Sequence, residues 1–149
     1  MNFDVEGPFD LSLHTPKNLI TEQTKKDLID QLEIKRPGLS KAVGCYVFSV
    51  RAGKGYTPHY VGQACKLSIP GEALNFANCA KYNKRLAEIK KGTAVIFLIT
   101  QLTPTGKLRK QSINKSTTIN FMEEWLIANA LGKNSKLINT QKTRFLRNI

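Results

Sequence analysis

Glu123 is the side chain whose position demands an explanation first. Along Ile119-Asn120-Phe121-Met122-Glu123-Glu124-Trp125-Leu126-Ile127-Ala128-Asn129-Ala130, a period of 3.6 residues collects Ile119, Met122, Leu126, Ile127 and Ala130 on one apolar stripe. Glu123 falls inside that stripe, one turn from Ile119 and from Ile127, and Glu124 lies toward its edge. A carboxylate on such a face must be paired, hydrogen-bonded or bound to a metal, because unpaired ionised burial is costly. Two chemistries meet that demand: an ion pair with a Lys or Arg, or a hard divalent cation that takes oxygen ligands. Thiol and imidazole chemistry is not indicated. Cys45, Cys65 and Cys79 are odd in number and lack C-x-x-C spacing, and His14 and His59 are the only histidines, so neither a disulfide framework nor a zinc site is expected.

Partners for a carboxylate are plentiful. Twenty-three Lys and Arg against eleven Asp and Glu leave a net charge of +12. Such an excess suits a protein that neutralises phosphates, since each contact releases condensed counterions; a basic surface without a partner is the plainer alternative. The acids are unevenly placed: Asp4, Glu6, Asp10, Glu22, Asp27, Asp30 and Glu33 precede residue 34, and beyond it stand Glu72, Glu88, Glu123 and Glu124. The positive field therefore belongs to residues 34–149, and an acid there has to be justified against it.

The elements that must hold these groups read as one α+β domain. At 149 residues, 41% apolar and 23% charged, the chain can bury one core. The apolar run Ala94–Ile99 is far short of the ~20 residues that span a bilayer. The start, Met1-Asn2-Phe3-Asp4-Val5-Glu6, lacks the features of a signal peptide, so a cytoplasmic, non-membrane protein is expected. Residues 1–18, with Pro8 and Pro16, read as an irregular arm; Thr21 caps a helix to about Ile34, facing Leu28, Ile29 and Leu32 inward, and Pro37-Gly38 ends it. Residues 1–40 thus form an arm and helix packed on a domain of residues 41–149. Val43–Val50 and Thr57–Gln63 read as a hairpin around the turn Arg51–Gly55. A helix is expected from Pro70-Gly71 to about Lys90 with Leu74, Ala77, Leu86 and Ile89 on the core, then a central strand Ala94–Thr100, a basic loop 104–115, and a helix from Ser116 or Thr117 ended by Gly132. Leu137-Ile138 is the expected return of the basic residues 133–149 to the core. The result is a small three-stranded antiparallel or mixed sheet flanked by helices.

On that hairpin, Gly44-Cys45-Tyr46 and Tyr60-Val61-Gly62 resemble the paired motifs of the GIY-YIG nuclease superfamily. Downstream, Glu123-x-x-Leu126-Ile127 and Leu137-Ile138-Asn139 resemble the family's helix glutamate and closing asparagine. The resemblance runs from Val43 to Asn139. It implies a metal-dependent endonuclease that hydrolyses phosphodiester bonds, in DNA in preference to RNA. Tyr46 would serve as general base or orient the attacking water, with Tyr60 beside it. Glu123 would hold one Mg²⁺ or Mn²⁺, and Asn139 would order the site. A free tyrosine has a pKa of about 10, so base work at neutral pH requires cations or metal nearby. Read without the resemblance, Tyr46 and Tyr60 are ordinary strand tyrosines and Asn139 is a turn residue.

The chain departs from the family at one position. The family places an arginine early in the helix after the second motif. From Gln63 to Ala80 there is none, and the cation in that stretch is Lys66. Lys66, Lys81 or Arg85 must then reach the site from another backbone position, with Lys81 the expected catalytic cation and Lys66, Lys84 and Arg85 contacting nucleic acid; lysine lacks the forked donors that clamp a phosphate. If none does, the chain is a nucleic-acid-binding domain of the same fold without catalysis. A basic module for an acidic protein is a third reading. No aromatic pair is spaced for stacking RNA bases on a sheet. Strong sequence preference would have to come from loops, a homodimer or a partner protein.

Overall fold

A computed structural model describes residues 2–140, 142 and 143. Its centre is a four-stranded antiparallel sheet in the order β1-β4-β2-β3, made of β1 (Phe3–Asp10), β2 (Gly44–Ala52), β3 (Gly55–Ala64) and β4 (Thr93–Gln101). The α+β class and the hairpin are as expected, and the apolar strand is central, but the hairpin's strands run on to a two-residue loop, Gly53-Lys54, inside the expected turn. The strand count is not. Phe3–Asp10 joins the sheet on β4 instead of lying over the domain as an arm. Pro8 hides this strand in the sequence, yet it sits within the register irregularity between Glu6 and Phe9, on an edge where a missing donor is tolerated. The early acids find cations there: Arg36 reaches Asp4 at 3.6 Å and Arg51 reaches Asp10 at 3.2 Å.

Alternation along the strands divides the core between two faces. Tyr46, Phe48, Val50, Ile96 and Leu98 meet α1 (Glu22–Lys35), α2 (Ile69–Ala73) and α3 (Phe76–Ile89). Cys45, Val61 and Ile99 meet Ile119, Ile127 and Ala130 of α4 (Thr117–Lys133) on the other. Thr21 caps α1 in a reciprocal box with Thr24, and Leu28 and Leu32 are fully buried, with Ile29 half-buried beside them.

Two helix boundaries differ from expectation. The stretch from Pro70 is two helices, because the Asn75 side chain accepts from the Asn78 N–H at 2.8 Å and starts α3 afresh. Ala77 consequently turns outward. Gly132 lies inside α4, whose end is Asn134 in an extended conformation.

Candidate active site

The hairpin places its two tyrosines through two glycines. Gly44 has φ of +144° and approaches β4 so closely that a Cβ would lie 2.1 Å from the Ile99 carbonyl oxygen. Gly62 is paired with Tyr46, and the tyrosine ring crosses it: a Cβ at 62 would lie 2.2 Å from Tyr46 Oη. The glycines of both triplets are therefore demanded by close packing, and the second leaves Tyr46 its place. Tyr60 stands beside it, ring centroids 6.3 Å apart.

These rings open on two adjoining cavities at the outer edge of β3. One, of about 590 Å³, is lined by Tyr46, Tyr60, Gly62, Gln63, Glu72, Lys115, Asn120, Glu123 and Lys142, among others. The second, of about 320 Å³, is bounded by Tyr60, Lys81, Asn139, Glu123 and Lys142. Tyr60, Glu123 and Lys142 are common to both, so the two triplets and the α4 glutamate, distant in sequence, share one centre.

Burial, then the neighbouring Tyr60 and Glu72, push the Tyr46 phenol well above its ordinary value. Burial raises that of Tyr60 too. In this environment both rings keep their protons at neutral pH. The Tyr46 oxygen instead accepts from Asn78 Nδ2 at 3.1 Å, which leaves its own proton to donate. As a neutral phenol, Tyr46 can donate a hydrogen bond to an acceptor oxygen.

Glu123 is buried on α4. Gln63 Nε2 donates to its Oε1 at 3.1 Å and Lys142 Nζ at 2.6 Å. The pairing required of a carboxylate on this apolar face is thus met by a lysine, which lies 3.9 Å from Glu124 as well. Lys142 Nζ also donates to Asn120 Oδ1. Asn120, Glu123 and Glu124 are neighbours at helical spacing, and the oxygens of the first two converge on one position for a cation. One carboxylate and one amide oxygen are as many protein ligands as Mg²⁺ or Mn²⁺ takes when water and phosphate complete its shell, and here Lys142 Nζ occupies the position between them. Among the described residues no group of three or more His, Cys, Asp or Glu could hold a metal.

Asn139 positions the strand that carries Tyr60. Its Oδ1 accepts from the Val61 N–H at 2.9 Å and its Nδ2 donates to the Val61 carbonyl at 2.7 Å, so a side-chain amide completes both backbone groups of the edge residue. The Ile138 N–H donates to the His59 carbonyl at 2.8 Å, and Asn134 Nδ2 to the Pro58 carbonyl at 2.8 Å. Asn139→Ala strands buried backbone groups and is expected to cost about 1–3 kcal/mol, measured as a drop in denaturant midpoint with an unchanged m-value.

The predicted cations divide. Lys81 is in place, its Nζ 5.1 Å from the Tyr60 ring centroid. Lys66 and Lys84 are exposed and line neither cavity. Arg85 is engaged elsewhere: it donates to His59 Nδ1 at 2.7 Å and to the Lys136 carbonyl at 2.8 Å, with Glu88 at 3.4 Å. An arginine has only protons to give, so His59 Nδ1 accepts and the ring is neutral with its proton on Nε2. Burial and then Arg85 lower the His59 pKa from 6.5 to about 4. The unfolded chain therefore takes up a proton near pH 6.5 that the fold refuses until about pH 4. The stability held by the neutral ring is complete above pH 6.5 and is lost as pH falls toward 4. His59→Gln, which keeps an acceptor without a titrating ring, is expected to flatten this acid limb in chemical-denaturation midpoints measured across that range.

Sequence reasoning missed Lys142, Asn120, Gln63 and Asn78. Lys142 carries no periodicity that could have marked it, whereas Asn120 stands one turn before Glu123, where helical spacing alone would have found it. Compared with protein-family models, with curated proteins and with solved structures, the chain has no match.

Proposed function

We propose that this chain is a divalent-metal-dependent endonuclease that hydrolyses phosphodiester bonds in DNA, a divergent relative of the GIY-YIG nucleases. The observation that carries the reading is the convergence of Tyr46, Tyr60 and Glu123 on two adjoining cavities, with Asn139 fixing the strand between them. In this reading Glu123 and Asn120 would hold the ion, which would polarise the phosphoryl oxygens, stabilise the leaving oxygen and acidify the attacking water, whose proton would pass to solvent. Tyr46 donates a hydrogen bond to a non-bridging phosphoryl oxygen, and Asn78 keeps that hydroxyl aimed. Lys81 and Lys115 attract the phosphate into the cavities. Lys142, released from Glu123, adds a positive charge beside the transferring group and takes the part for which the family uses an arginine.

A second reading is favoured by the Lys142 contact itself. If the ammonium stays on Glu123 and Asn120, it fills the cation position and the chain binds nucleic acid without cutting it.

Supercoiled plasmid incubated with the protein and Mg²⁺, Mn²⁺ or EDTA decides between them. Nicking that requires the metal supports the nuclease. A salt-sensitive gel shift without nicking supports the binding domain. Neither result would turn attention to an acidic protein partner.

A further inference from the structure

We propose that a second anion-binding surface, outside the Tyr46–Glu123 centre, carries the phosphate backbone of duplex DNA away from it. This rests on the reading of the chain as a DNA-acting protein. At the far end is a cavity of about 540 Å³ between the end of α1 and the segment 106–111, where Arg36, Lys41, Lys107, Arg109 and Lys110 gather and, among the described residues, no carboxylate lines the wall. Arg109 and Lys110 also line a neighbouring polar cavity of about 300 Å³ that extends to Lys115, Ser116 and Thr117. Those three residues in turn line the cavity that holds Tyr46 and Glu123. Shared walls thus join the three hollows into one basic track that ends at the candidate active centre.

The track is built. Thr103 and Lys107 close a turn through Gly106, with Lys107 N–H donating to Thr103 Oγ1 at 3.1 Å and Thr103 N–H to the Lys107 carbonyl at 2.7 Å. The segment is then pinned to the ends of the strands: Arg109 N–H donates to the Gln101 carbonyl at 3.0 Å and Ser112 N–H to the Cys65 carbonyl at 2.9 Å. The side chains of Lys107, Arg109 and Lys110 stay exposed on this fixed backbone. Of the track's cations, Arg36 is shared with Asp4 and Glu6 at 3.6 and 4.0 Å. Among the described residues no aromatic side chain lines the two outer hollows, so the surface offers charge to phosphates and no platform for bases. Contact of this kind adds affinity without sequence preference.

The test compares two charge-matched variants for binding to a duplex of ~30 base pairs across salt concentrations and for plasmid nicking. One is Lys107→Gln/Arg109→Gln/Lys110→Gln. The other is Lys54→Gln/Lys90→Asn/Lys91→Gln, at the opposite end of the strands. Each phosphate that is no longer neutralised makes the log K against log[salt] slope shallower by about 0.9. The track variant should therefore drop by about two to three in slope and ~10- to 100-fold in affinity at ~0.15 M salt. The control should change by less than about 3-fold. Lys110→Gln alone, expected to drop by about one in slope, guards against misfolding of the triple variant. Equal weakening in both triple variants, or a track variant that binds like the parent, overturns the proposal. A parent that binds but never nicks, with binding weakened selectively in the track variant, upholds the track and removes the nuclease reading. A parent that nicks equally well with and without the track cations, at unchanged affinity, upholds the nuclease and removes the track.

Discussion

Glu123→Gln is expected to abolish metal-dependent nicking while leaving DNA binding within about 3-fold of the parent. The substitution keeps the shape of the side chain and an oxygen that can accept from Gln63 and Lys142, but removes the charge that would hold a cation against the field of a +12 chain. Removing groups that merely support a metal ligand costs about 10–100-fold, so removing the ligand's charge should exceed about 100-fold. Stability should change little. Lys142 is 30% exposed and keeps Glu124 at 3.9 Å, so the orphaned ammonium is not stranded in an apolar interior, and a cost of about 1 kcal/mol is expected. Rates are compared at saturating Mn²⁺ as well as Mg²⁺, which separates weakened metal binding from a failed chemical step. Nicking by Glu123→Gln at the parent rate would falsify the assignment of Glu123.

Gly44→Ala is expected to be the most damaging single methyl that can be added to the hairpin. Its Cβ would meet the Ile99 carbonyl oxygen at 2.1 Å, and the two residues lie on adjacent inner strands whose backbones have no flexible side chain to yield. The left-handed φ of +144° adds strain of its own. A cost of about 3 kcal/mol or more follows, enough to lower the thermal midpoint of a chain this size by ~10 °C. Gly62→Ala should behave differently. Its Cβ would press on the Tyr46 ring, 2.2 Å from Oη and 2.3 Å from Cζ, so Tyr46 must leave its position. A cost of about 1–3 kcal/mol is expected, together with the disappearance of nicking. Tyr46→Phe cannot rescue it, because the offending Cζ remains. A Gly44→Ala protein that melts with the parent would show that β2 and β4 are not so closely opposed.

Much of this arrangement is legible in the residues themselves. β2 and β3 are rich in β-branched and aromatic residues around a glycine turn, a local signal that tertiary packing has no reason to override. The placement of Glu123 on a buried helical face follows from period alone. β1 is hidden because Pro8 breaks its pattern and because its partner, β4, lies some ninety residues away. The division at Asn75 turns on one side chain choosing the N–H of Asn78, a choice that a run of helix-compatible residues conceals. Of the cations near the site, Lys81 is legible and Lys142, which holds Glu123, is not. Arg85 is drawn to His59 and Lys142 to Glu123 by a fold that brings β3, α3, residues 134–140 and Lys142 together, and charge without periodicity gives no address.

The treatment of the outer strand by residues 134–139 has a consequence for how the molecules behave toward one another. Exposed strand rims act as templates on which another chain can add its own strand. On the β3 rim, amide side chains and the Ile138 N–H already occupy the groups of Pro58, His59 and Val61. The opposite rim, β1, is interrupted between Glu6 and Phe9 and carries Asp4, Glu6 and Asp10. Among the described residues, both borders thus carry devices that discourage a neighbour's backbone, an amide cover on β3 and a break with acidic side chains on β1.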